Sequence, residues 1–156
     1  MTGPPGTRIF EDVAEGSAFF DYIQRLTNKG YMGGYPCGDP DEPCQAGSRP
    51  YFRPSSNATR GQLSKIVSNA AEISNAVSGQ TYEDVPGSAP FYLYIERLSA
   101  LNVMSGYPCN TLPEEPCEAG NRPYFRPNAN VTRGQAAKIV ANTFFPGCQT
   151  PASPVK

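Results

Sequence analysis

The chain has 156 residues, room for one domain or two small ones. Its formal net charge is −1, with nine arginines and four lysines scattered and no basic run, so charge gives no support for a nucleic-acid partner. It contains no histidine, which excludes Ser-His-Asp and Cys-His catalysis, and no stretch approaches the roughly 18–20 apolar residues of a membrane span.

Residues 1–9 are a Pro/Gly-rich lead-in, expected to be extended. The start, Met1-Thr2-Gly3-Pro4-Pro5-Gly6, has no charged n-region and no apolar h-region. A short Phe10-Glu11-Asp12-Val13 element precedes a first helix, with Ser17 as N-cap, Phe19, Phe20, Ile23 and Leu26 on one face, and Gly30 in the C′ role. A glycine turn (Gly33-Gly34-Tyr35) and a cysteine loop follow. Pro50-Tyr51-Phe52-Arg53-Pro54 is expected to be extended, since proline biases its predecessor toward β or polyproline II. Thr59 opens a second helix through a Thr-x-x-Gln capping box with Gln62, and Leu63, Ile66, Val67 and Ala70 follow at helical spacing. Residues 74–81 are a linker.

The second half repeats the first. Phe10-Glu11-Asp12-Val13 returns as Tyr82-Glu83-Asp84-Val85, and Gly34-Tyr35-Pro36-Cys37 as Gly106-Tyr107-Pro108-Cys109. Between Ser48–Val67 and Asn121–Val140, 14 of 20 positions are identical. A third helix is expected with Ser88 or Ala89 before Pro90 in its first turn and Phe91, Ile95 and Leu98 on its face. A fourth opens at Thr132 and carries Ala136, Ile139, Val140 and Thr143. The expected fold class is all-α: tandem helical-hairpin repeats at 10–80 and 81–147, each with a long turn-rich loop, then an extended tail at 148–156. Two helices bury little alone, so the repeats should pack on each other. Duplication of the polar residues along with the apolar ones points to a repeated binding or assembly surface rather than to one catalytic centre.

The cysteines are duplicated too. Cys37 and Cys44 share one loop, and Cys109 and Cys117 share the matching one. They read as one disulfide per repeat in an oxidising compartment, each adding about 2.5 kcal/mol by the chain-entropy account. The rival is zinc, but histidine and the usual C-x(2–4)-C spacing are missing. The cysteines therefore favour a processed or excised piece of a secreted protein over a cytosolic one. Cys148 is left over, either a quiet thiol or a link to a neighbouring subunit or to a part of the chain outside this sequence. Asp39, Asp41 and Glu42 lack a calcium-loop order and read as a solvated acidic loop, so no metal or cofactor is expected.

Phe-x-Asp, a Tyr-x-x-Ile-x-x-Leu helix, a Gly-Tyr turn, Phe-x-Pro and Thr-Arg-x-Gln, in that order and twice, resemble the S-layer homology repeat over nearly the whole chain. The resemblance implies helical prongs, usually three in a bundle, that attach exported proteins to cell-wall polysaccharide, often through a pyruvylated sugar. It implies ligand grooves between prongs that use the arginine of a Thr-Arg-Ala-Glu motif, here Arg60 and Arg133. The family's Phe-x-Asp aspartate falls on Asp12 and Asp84, and its turn residues on Gly34-Tyr35 and Gly106-Tyr107. Two repeats stand here where the family usually has three, Thr-Arg-Gly-Gln replaces Thr-Arg-Ala-Glu, and the short family turn has become a cysteine loop.

The residues carry their own alternatives. Arg60 and Arg133 sit in a helix's first turn, where the dipole disfavours a cation; they either grip a carboxylate or acidic sugar or form internal salt bridges to Asp12 and Asp84. Gly61 and Gly134 beside them admit a ligand or a close-packed neighbour. Phe52 and Phe125 read as core, while Tyr51 and Tyr124, with Arg53 and Arg126, are either rim or a sugar-stacking platform. Asn57 and Asn130 lie in N-x-T sequons, although each threonine already has a capping role. The expectation is a non-enzymatic, extracellular cell-surface module that attaches to cell-wall polysaccharide. Glycan contacts are expected at Arg60, Arg133, Asp12, Asp84, Gly61, Gly134, Tyr35 and Tyr107. The alternative is a self-assembling subunit of a surface layer or filament, with copies of itself as partner.

Overall fold

The computed structural model describes residues 8–146. Cys148 and both chain ends lie outside the described residues. Among these there are four helices and no sheet: α1 (Phe20–Asn28), α2 (Arg60–Ala70), α3 (Tyr92–Ala100) and α4 (Arg133–Phe144). Extended pairing is limited to isolated antiparallel bridges such as Tyr35–Tyr51 and Tyr107–Tyr124. The chain divides into two compact units, Met1–Ser56 and Asn57–Lys156, so the division falls inside the first sequence repeat.

The first unit centres on Phe10, Val13 and Ile23, with Ile9, Phe20 and Phe52 packed around them. Three buried side chains make a small core, and the Cys37–Cys44 disulfide staples the loop beside it. Ser17 is not the N-cap of α1. The chain first makes a turn in which Phe20 N–H donates to the Ser17 carbonyl, and Phe19 takes the cap position without any side-chain hydrogen bond. Phe19 therefore leaves the apolar face and is 61% exposed. Gly30 does end the helix, at φ +73°, with Gly30 N–H donating to Thr27 O and Tyr31 N–H to Leu26 O.

The second unit holds the larger core: Val67, Tyr82, Val85, Ile95, Leu98, Val103, Met104, Phe125 and Ile139. Here α2, from the first repeat, packs against α3 and α4 of the second. Small residues on α2 permit the approach. A Cβ built on Gly61 would lie 2.4 Å from the Phe91 ring, and Ser64 and Ser68 are fully buried on the same helix. Main chain joins the repeats as well: Arg60 N–H donates to Ala129 O, Gly61 N–H to Pro127 O and Val131 N–H to Ala58 O. Both capping boxes form, at Thr59–Gln62 and Thr132–Gln135. Pro90 precedes the helical turn it was expected to occupy, because Phe91 caps α3. Asn102, at φ +55°, follows the C-cap of α3 where Gly30 serves α1.

Candidate functional site

Each repeat builds the same frame around its cysteine loop. The Asp12 carboxylate accepts from Phe52 N–H (2.8 Å) and Arg53 N–H (2.6 Å), and Asp84 accepts from Phe125 N–H and Arg126 N–H (2.7 Å each). These aspartates hold backbone. They fix Arg53 and Arg126 at φ +60°, which ends the extended run one residue before each proline. This departs from the extended conformation expected of a residue before proline, because two backbone hydrogen bonds to one carboxylate outweigh a local steric bias.

So placed, Arg53 forks onto Glu42 (2.6 and 2.7 Å) and lies over the Tyr35 ring at 4.0 Å. Arg126 forks onto Glu115 (2.6 Å twice) and lies over Tyr107 at 4.0 Å. The Arg53 hydrogen bonds hold the Glu42 carboxyl below its ordinary range. Tyr51 and Tyr124 donate their hydroxyls to Pro43 O and Pro116 O (2.9 Å each), pinning the loop next to its second cysteine. Both disulfides are formed, Cys37–Cys44 and Cys109–Cys117, each with Cα atoms 5.0 Å apart. Glu42 and Glu115 are thus occupied by arginine, and among the described residues no cluster is arranged to hold a metal ion.

The two motif arginines differ. Arg60 is 6% exposed. Its Nε donates to Phe125 O and its Nη2 to Ser105 O, both at 2.7 Å, and the guanidinium lies 4.5 Å from the Phe125 ring centre and 5.2 Å from that of Tyr107. Burial pulls its pKa below the ordinary arginine value, and the neighbouring Tyr107 opposes that shift. An arginine of the first repeat is thereby inserted into the tyrosine turn of the second. Arg133 is exposed and makes no ion pair or side-chain hydrogen bond with the described residues. Gly61 is close-packed on Phe91, whereas Gly134 faces open space. Asn57 and Asn130 are both exposed.

Beside Arg60 opens a cleft of about 230 Å³. Its walls are the 102–107 segment, including Tyr107, and the α4 side chains Gln135, Lys138 and Ile139. Two cations line it and no carboxylate does, in a chain whose net charge is −1. The structure brings Arg60 and Tyr107 together here, with Asp84 behind them holding the frame. Asp12 and Tyr35 belong to the corresponding frame of the first unit. Lys138 was missed in the sequence, although Lys65-Ile66-Val67 and Lys138-Ile139-Val140 repeat it.

The S-layer homology domain profile matches residues 9–44 and 81–137, more than half of the chain. The chain belongs to the S-layer homology domain family. No curated protein matches it. As an S-layer homology protein it is a module of the cell envelope, in a family of non-catalytic binding domains, and its paired disulfides fit an extracellular setting. No helix among the described residues is long and apolar enough to cross a membrane.

Proposed function

We infer that this S-layer homology chain attaches non-covalently to an acidic cell-wall polysaccharide, and that the Arg60–Lys138 cleft takes the polymer's carboxylate-bearing sugar. The observation that carries this reading is a cleft with two cations, an amide and a tyrosine on its walls and no acidic side chain. Arg60 is held in place by two carbonyls and two rings, so its charge is oriented before any ligand arrives. Lys138 stands at the exposed side and adds a second charge without a fixed geometry. The Gln135 amide, its Oε1 held by Thr132 N–H in the capping box and its Nε2 directed at the Tyr107 hydroxyl, keeps one N–H for a sugar hydroxyl. Chemistry of bond breaking has no support here, since the lining holds no carboxylate pair.

The test is cosedimentation of the full chain with purified wall polysaccharide, native and after chemical reduction of its carboxyl groups. The native polymer should bind, the reduced polymer should bind at least about tenfold more weakly, and Lys138→Glu should lower affinity for the native polymer by a similar factor. Equal binding of native and reduced polymer would overturn the reading.

A further inference from the structure

We propose that copies of this chain dock head to tail, the second repeat of one copy seating on the first repeat of the next as the first repeat's own α2 seats on the second. This does not rest on the glycan reading. The joint inside the chain shows what such a seat requires. The donating side is Arg60 and Gly61 at the start of α2, with Val67 further along at 3% exposure. The receiving side is the Phe91 ring, the carbonyls of Ser105 and Phe125, and the main-chain carbonyls of Pro127 and Ala129.

Each side is present a second time and uncovered. The donor's duplicate is Arg133, Gly134 and Val140. Arg133 is exposed, Gly134 has nothing within 4 Å of a built Cβ, and Val140 is 40% exposed. Ala137 and Ala141, the counterparts of buried Ser64 and Ser68, are exposed on the same helix. The receiver's duplicate is Phe19, standing where Phe91 stands, with the carbonyls of Gly33, Phe52, Pro54 and Ser56. Phe19 is exposed and residues 54–56 are exposed. Among the described residues no hydrogen bond is made to these four carbonyls. The Asp12, Arg53 and Glu42 frame that shapes the receiving turn is built as it is in the second repeat. Two surfaces of unlike kind that fit one another form a heterologous contact, which propagates rather than stopping at two copies unless its rotation closes a ring.

The experiment uses the full chain carrying Cys148→Ser, so that no thiol outside the loops contributes, under non-reducing conditions that keep both disulfides. Sedimentation velocity over a hundredfold concentration range should show mass rising past the dimer. Gly134→Val places a β-branched side chain where the internal joint tolerates none, yet fills open space in the free chain; it should abolish growth while leaving the circular dichroism intact and the melting temperature no lower. Phe19→Glu, at an exposed position, should do the same from the other side. A mixture of the two variants should form a 1:1 heterodimer and nothing larger, because each retains the half that the other lacks. A chain that stays monomeric throughout, a two-fold dimer indifferent to both substitutions, or a mixture that fails to pair while the parent assembles would each overturn the proposal.

Discussion

Thr59-Arg60-Gly61-Gln62 and Thr132-Arg133-Gly134-Gln135 share their four residues, their capping box and their place at the start of a helix. One arginine is buried against two carbonyls and two rings, and the other is exposed. One glycine touches an aromatic ring and the other touches nothing. The local sequence therefore sets the helix start, while a following repeat decides what the arginine and glycine do. The motif is half of a joint, and its meaning depends on whether the other half is present.

The strongest way to break this contrast is to remove the arginines one at a time. Arg60→Ala strips two charge-assisted hydrogen bonds from carbonyls at a buried joint and should cost about 3 kcal/mol in urea unfolding. Arg133→Ala should stay within about 0.5 kcal/mol of the parent at concentrations where the chain is monomeric. Equal losses would show that the two motifs are used alike. The glycines sharpen the contrast by sign. At position 61 alanine meets the Phe91 ring and should destabilise by about 1–2 kcal/mol, a typical cost of overpacking. In thermal melts Gly134→Ala should instead stabilise by a few tenths to about 1 kcal/mol through helix propensity.

The smallest effect concerns acid. Glu42 has its pKa depressed in the folded state by Arg53, so its contribution is present above the unfolded carboxylate pKa and is lost as pH falls through the lower folded value. Melting curves from pH 7 to pH 3 should fall less for Glu42→Gln than for the parent. The difference should be slight, because this pair is solvated. Parallel curves would remove the Arg53–Glu42 fork from the account of the first loop.

Much of the local structure was legible because it is written in short-range chemistry. The capping boxes, Gly30, the paired cysteines and the phenylalanine cores all follow from neighbours within a few residues or from a pattern repeated twice. What could not be read depends on contacts far along the chain. Ser17 has the right side chain for a cap, but a preceding turn moves the helix start to Phe19–Phe20. Arg53 and Arg126 take positive φ because Asp12 and Asp84, some forty residues away in sequence, each hold two successive N–H groups. Those aspartates are the salt-bridge partners that the sequence suggested for Arg60 and Arg133. Instead Asp84 supports the turn into which Arg60 inserts. Lys138 carries no distinguishing pattern beyond its repetition, and its place on the cleft wall comes from how α4 packs.

The strand-like contact between Thr59 and Asn130, with its three flanking hydrogen bonds, is made wholly of peptide groups. A seam of this kind is blind to most substitutions on either side, since every residue except proline offers the same N–H and C=O. Side chains bordering the seam, Arg60 and Gly61 apart, are thus free to drift and acquire new chemistry without breaking it. Such a lineage can lengthen, shorten or re-decorate its arrays while the spacing between neighbouring modules stays constant.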